Sequence, residues 1–345
     1  MRARLALAAG LLVSLAGRVA WPCGGGFGTG IAVNPQQDII IVWKDGVETY
    51  VFQPIFCGTA TDFGLILPVP SELSQMPALA DQQAFATAIA LSEPKKVKVS
   101  SSSGIGCGSS GSNSSAGGSQ NSVPTVVASG RVGFLDWVQL KAQTEASFTD
   151  WLTANGYPYS ATSATVFSYY VQKGWYFLAF RISQGVAPDS GTPCTALGPV
   201  AFAFPTSTPV VPSRMAGAGS TTASSGASLY TWRIFGISYG DVQLGAGSNL
   251  RYSGLINESD LPSLAGLAQT GDRLTRLNIT FDANTADADV NLGMASAGDY
   301  RATEYVPDDS DSACSVTRTS RSGNSFILPL FALVLAGLIR WRRRR

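Results

Sequence analysis

Alternating apolar and polar positions, with short apolar runs, dominate the middle of the chain. Residues 38–44 (DIIIVWK) form a β-branched and aromatic run, Asp45-Gly46 is a pair favoured in two-residue hairpin turns, and residues 47–54 (VETYVFQP) resume the pattern. This predicts a β-hairpin. Gly174–Ile182, Pro199–Pro205, Leu229–Phe235 and Leu274–Phe281 have the same composition. They predict further strands, because aromatic and β-branched side chains fit a pleated, half-buried surface. Residues 62–70 (DFGLILPVP) predict a short strand whose two prolines can close it at a sheet edge but cannot continue a central ladder.

Helical spacing is confined to two stretches. Over 78–91 an apolar side carries Leu79, Phe85 and Ile89, and Ser92-Glu93-Pro94 supplies the stop. Over 145–154 Phe148, Trp151 and Leu152 share one face, and Asn155-Gly156 closes the helix. The expected fold class is therefore α+β, predominantly antiparallel β with about two to four helices. Residues 100–122 are almost entirely Ser, Gly and Asn, which predicts a flexible loop pinned near its middle by Cys107.

The two ends read as signals. Met1-Arg2-Ala3-Arg4 and the apolar run from Leu5 to Leu15 form the basic and hydrophobic regions of a signal peptide, assigned to residues 1–20 with cleavage preferred after Ala20. Residues 21–306 form the body, and residues 307–325 are an acidic and polar linker containing Cys314. Residues 326–345 are an apolar stretch, Phe326–Ile339, followed by arginines that include Arg342, Arg343, Arg344 and Arg345. Arginines held on the cytoplasmic side place everything upstream outside the inner membrane. A stable span needs about 20 apolar residues, so this shorter run would be a marginal anchor and a sorting signal explains it better. Cys314, the polar spacer, the apolar run and the arginine cluster together resemble the myxobacterial C-terminal sorting tag (MYXO-CTERM). That resemblance implies processing near Cys314 by a dedicated intramembrane protease and retention at the cell surface or outer membrane. Hydropathy alone is equally satisfied by an inner-membrane anchor facing the periplasm.

Composition narrows the chemistry. Only 14% of residues are charged, while 37 glycines and 18 prolines accompany abundant serine and threonine, as in a turn-rich exported β protein. Net charge is +1 and much of the positive side is in the terminal arginines, which argues against a nucleic-acid partner. There is no histidine. A Ser-His-Asp triad, a Cys-His pair and a His-ligated metal are thereby excluded. Carboxylate-only catalysis, Ser-Lys chemistry and oxygen-ligated calcium survive. If Cys314 belongs to the sorting signal, Cys23, Cys57, Cys107 and Cys194 remain for two disulfides in an oxidising compartment. Of the three possible pairings, Cys23 with Cys57 and Cys107 with Cys194 is preferred, because the first pair flanks the hairpin.

The glycine run 24–30 (GGGFGTG) lacks the preceding strand and following helix of a phosphate loop, so no nucleotide cofactor is expected. Cys23-Gly24-Gly25, the strand ending Leu67-Pro68-Val69-Pro70, Trp151-Leu152 with Asn155-Gly156-Tyr157, Gly174-Trp175-Tyr176-Phe177 and Leu274-Thr275-Arg276-Leu277 occur in order along the body. This ordered set resembles a bacterial family of exported proteins of unknown function, DUF2330. The resemblance implies a fold and an exported location and no mechanism.

The leading functional expectation is a non-enzymatic structural or binding module at the cell surface, retained by its C-terminal segment, with an envelope or glycan partner. Trp43, Tyr169, Tyr170 and Trp175 are the aromatics that could stack on sugars. The alternative is an enzyme acting on envelope or matrix polysaccharide through a facing carboxylate pair drawn from Asp38, Asp62, Asp136 and Glu145. Asp282, Asn284, Asp287 and Asp289 alternate oxygen ligands and are candidates for calcium, although they lack the glycine and terminal glutamate of a hand-type loop.

Overall fold

The computed structural model describes residues 25–27, 36–53, 55–56, 64–99, 123–157, 159, 161–183, 195–219, 229–240, 242–245, 249–264, 266–282, 288–296 and 298–307. The expected signal peptide, all five cysteines, the 100–122 loop and the segment from 308 onward, including Phe326–Ile339 and the terminal arginines, lie outside the described residues. The chain divides into a unit of residues 1–97 with 106–304 and a second unit of residues 98–105 with 305–345. Of the second, the structure describes only strand ends at residues 98–99 and 305–307.

The first unit opens with strands β1 (Gly25–Phe27), β2 (Gln36–Lys44), β3 (Val47–Phe52), β4 (Ile55–Phe56), β5 (Gly64–Val69) and β6 (Gln75–Leu79), then helix α1 (Ala84–Leu91). After β7 (Lys95–Val99) come β8 (Thr125–Val132), β9 (Leu135–Lys141), α2 (Glu145–Ala154), α3 (Ala161–Gln172) and β10 (Tyr176–Ile182). Strands β11 (Thr195–Ala196), β12 (Val200–Pro205) and β13 (Val210–Val211) lead to a 3-10 segment, Ser213–Gly219. Strands β14 (Leu229–Ser238), β15 (Val242–Gly245) and β16 (Leu250–Leu255) precede a second 3-10 segment, Glu258–Leu264. The chain then forms β17 (Arg273–Asp282), β18 (Val290–Asn291), β19 (Gly293–Ser296), β20 (Tyr300–Arg301) and β21 (Thr303–Pro307).

Two sheets carry the unit. A five-stranded antiparallel sheet has the order β1-β5-β10-β9-β8. An eight-stranded sheet has the order β20-β16-β17-β14-β2-β3-β12-β6 and is antiparallel except where β14 runs parallel to β2. The predominantly antiparallel α+β class expected from the sequence is the class observed.

Side-chain alternation explains the layering. Ile39 and Ile41 of β2, Tyr50 and Phe52 of β3, and Trp232 and Ile234 of β14 point to one face and meet Leu65, Leu67, Leu178 and Phe180 of the other sheet in one buried cluster. Phe52 and Phe180 touch between the sheets, with ring centroids 5.5 Å apart. The other face of the five-stranded sheet (Ile66, Leu140, Phe177, Ala179) is covered by Phe148 and Leu152 of α2 and Phe167 and Tyr170 of α3. The other face of the eight-stranded sheet (Ile40, Val42, Val51, Phe235, Ile237) lies under Phe85 and Ala88 of α1 and Leu264 of the second 3-10 segment. The layers therefore run helix, sheet, sheet, helix. Burying each large apolar side chain contributes about 1.5 to 3 kcal/mol, and the inter-sheet cluster is the largest of the three.

The Asp45-Gly46 turn joins β2 to β3 as expected, with φ of 51° and 77°, the left-handed values of a type I′ hairpin. Helix α2 also matches, and its Thr144 cap accepts from the Ser147 backbone N–H while Ser147 Oγ is in reach of the Thr144 backbone N–H. The helix expected over 78–91 needs correction. Its start is the edge strand β6, which pairs with β12 and accommodates Pro77, and the helix begins only at Ala84 after a turn in which the Asp81 carboxylate accepts from the Gln83 N–H. In β5, Pro68 pairs with Phe177 of β10, while β1 reaches only Gly64–Ile66. The proline thus stands where the strand has a described neighbour on one side alone.

An aromatic and cationic cluster around Asp289

Of the candidate carboxylates, Asp38 and Asp136 lie on opposite sides of the two sheets. Asp38 projects from the outer face of the eight-stranded sheet, where Arg233 grips it with Nε and Nη2, each at 2.6 Å. Asp136 projects from the helix side of the five-stranded sheet and accepts from Arg131 Nε at 2.9 Å and Ser183 Oγ at 2.8 Å. Burial opposes its charge, but the bonds from Ser183 and Arg131 outweigh that and hold the carboxyl below the usual carboxylate range. Glu145 is the first residue of α2, where its charge complements the helix N-terminus. Both sheets separate Asp38 from Asp136, and Asp62 lies outside the described residues. Asp38 and Asp136 therefore do not form a glycosidase-type pair.

Two other groups of expected residues meet instead. Asp289, from the calcium candidates, has a fully buried carboxylate that accepts from the hydroxyls of Tyr170 at 2.6 Å and Tyr169 at 3.4 Å and from Lys173 Nζ at 3.0 Å. Its oxygens act as counter-charge to a lysine and acceptor to two phenols. Asp282 ends β17, Asn284 and Asp287 lie outside the described residues, and no group of three metal-ligating side chains occurs among the described residues.

Local chain geometry builds this cluster. Helix α3 ends with Gly174 in the left-handed conformation (φ 69°), where Gly174 N–H donates to Val171 O and Trp175 N–H to Tyr170 O. That turn folds Trp175 back against Tyr170, with centroids 5.3 Å apart, and leaves Lys173 at the carbonyl end of the helix. Lys173 Nζ stands 4.5 Å from the Tyr169 ring centre and 4.7 Å from that of Trp175, while the Arg214 guanidinium stacks on Tyr169 at 4.1 Å. Ser213 fixes the other side, donating to Ala288 O at 3.3 Å and accepting from Val290 N–H at 3.1 Å. Burial opposes charge on Lys173, but bonds to Tyr169 and Asp289 prevail and raise its pKa. Burial, reinforced by Asp289, pushes the Tyr170 phenol well above the usual tyrosine value.

Of the four aromatics proposed for sugar contact, Tyr170 is fully buried and Trp43 packs against the inter-sheet core. Tyr169 and Trp175 are half-buried and present ring surface beside Lys173. Sequence reasoning missed Lys173 and Arg214. The spacing of Tyr169 and Lys173 on one helical face was a readable signal for the first, but nothing local to Arg214 points to α3.

Two packed sheets flanked by helices, with a surface cluster of rings and cations at the end of α3, define a β-rich domain. The chain belongs to the family described as an uncharacterized protein conserved in bacteria (DUF2330), whose family model matches residues 19–293. No curated protein matches it, and no solved structure does.

Proposed function

We propose that the protein is a non-enzymatic binding module of the bacterial surface. An exported body is retained by the C-terminal signal, and Tyr169, Lys173 and Trp175 contact a polysaccharide of the envelope or matrix. The observation that carries this reading is the geometry at the end of α3: two half-buried rings flank an ammonium group whose position is fixed by Asp289. Rings of this kind offer an apolar face to pyranose C–H groups, and the ammonium and phenol donate to hydroxyl or carboxylate oxygens. Support for a role without catalysis comes from the separate commitments of Asp38 and Asp136 to arginine partners. The terminal signals and the absence of histidine from the sequence point the same way.

The test is retention of the full chain, in detergent, on immobilised envelope polysaccharide from its host, with dextran as the neutral control. Wild type is expected to be retained, and Tyr169→Leu combined with Trp175→Leu to lose at least about tenfold in affinity while its circular dichroism is unchanged. Equal retention of the double variant, or no retention of wild type, overturns the proposal.

A further inference from the structure

The outer face of the eight-stranded sheet changes character along its length. At one end Ile40, Val42, Phe235 and Ile237 are buried under α1 and the second 3-10 segment. At the other, the same alternating positions of β2, β14 and β17 are Asp38, Thr231, Arg233, Arg276, Asn278 and Thr280. Asn278 is the cross-strand partner of Arg233, and Arg233 is the cross-strand partner of Asp38, so the three form one row. Arg276 is two residues along β17 from Asn278, on the same face.

Arg276 is the unusual member. It is only 8% exposed, yet its bonds go to neutral acceptors: Nε donates to Asn278 Oδ1 at 3.2 Å and Nη1 to the Ser92 carbonyl at 3.3 Å. Among the described residues it forms no ion pair. The carboxylate on this face, Asp38, is already gripped by Arg233. A guanidinium buried to that extent is costly unless counter-charge is at hand. The carbonyl end of α1 supplies a partial negative charge, and Asp38 and Glu93 act from further away, whereas Arg233 and Arg251 repel it. Burial first, then those two arginines, hold its pKa below the usual arginine value.

The bonding pattern also leaves donors over. Arg233 uses Nε and Nη2 on Asp38, Arg276 uses Nε and Nη1, and Asn278 accepts at Oδ1. Among the described residues, Arg233 Nη1, Arg276 Nη2 and Asn278 Nδ2 therefore have no acceptor. Cross-strand neighbours lie about 5 Å apart and alternate residues of one strand about 7 Å apart, a spacing that long side chains close around one small group.

We propose that this face is an oxyanion-binding site, in which Arg233, Arg276 and Asn278 hold a single carboxylate or phosphate group with exposed Arg251 at the rim. Guanidinium donors suit planar or tetrahedral oxyanions, and the bound charge would supply the counter-ion that Arg276 lacks. The site is separate from the cluster on α3 and does not depend on the function proposed there.

The experiment is thermal unfolding of the full chain in detergent, titrated with inorganic phosphate and, separately, with polygalacturonate, against chloride at matched ionic strength. Binding raises the midpoint saturably. Wild type is expected to show that rise with at least one probe. A response to phosphate identifies a free anion as a sufficient ligand, and a response to polygalacturonate alone identifies a polymer carboxylate. Arg276→Gln is expected to weaken binding at least about tenfold and Arg251→Ala a few-fold. Because Arg276 also caps α1, Asn278→Ala and Arg251→Ala provide variants whose folding does not depend on that cap. No saturable shift with either probe overturns the proposal, as does unchanged affinity in both of these variants.

Discussion

Glu48 shows how one residue can carry a pH dependence. It lies on β3 and is completely buried facing the inter-sheet core, where its Oε2 accepts from the Val210 N–H at 2.8 Å. Burial raises its pKa well above 4.5, and the bond from Val210 offsets only part of that. A carboxyl with a raised folded pKa binds more protons folded than unfolded. Its contribution is therefore fully present below pH 4.5 and is lost as pH rises toward the folded value. Glu48→Gln keeps the acceptor for Val210 and removes the titration. Its urea midpoint is expected to exceed that of wild type at pH 7 and to match it near pH 4; an equal midpoint at both pH values would refute the assignment. Glu48→Leu leaves the Val210 N–H buried without an acceptor and is expected to cost about 1 to 3 kcal/mol even at pH 4. Glu48 drew no attention in the sequence because alternation marks it as inward-facing only after the strand's core side is known. Trp43 was similar: its cross-strand position beside Glu48 makes it an inter-sheet residue, not a surface ring.

At the scale of elements, register adds information that spacing along the chain lacks. Strands β4 and β11 pair antiparallel, with Ile55 opposite Ala196 and Phe56 opposite Thr195. The four body cysteines lie outside the described residues, and mass-spectrometric mapping of a non-reduced digest tests the pairing expected from the sequence: Cys23–Cys57 and Cys107–Cys194 peptides are expected, and a Cys57–Cys194 peptide would refute it. Element legibility followed the strength of local chemistry. The Asp45-Gly46 hairpin and the capped helix α2 were readable because turn residues and a cap fix them locally. Helix α3 was not, since ATSATVFSYYVQ is rich in β-branched, hydroxyl and aromatic residues of modest helix propensity. Its helical state is selected by burial of Phe167 and Tyr170 against the five-stranded sheet. The helix expected from Ala78 overran the end of β6 because Ala78 and Leu79 suit either state until β12 offers an edge to pair with.

At the scale of the whole molecule, the proposed surface location rests on both ends of the chain. Intact mass measurement of the native protein in fractionated membranes is expected to show loss of residues 1–20 and of the arginine tail, with the remaining C-terminal region modified near Cys314. An intact tail in the inner-membrane fraction would replace sorting with simple anchoring. The sequence by itself determined the β-rich class, the hairpin, most long strands and the exclusion of histidine chemistry, because each of these follows from composition or from contacts a few residues apart. Tertiary structure alone decided which side chains meet. It divided most of the long strands between two large sheets and committed Asp38 to Arg233, 195 residues away. It also carried Asp289 to Tyr170 across 119 residues and left Arg276 buried beneath a polar sheet face. Those outcomes depend on strand order and register, and no local pattern encodes them, since alternation fixes which face a residue takes and not what the fold places opposite it.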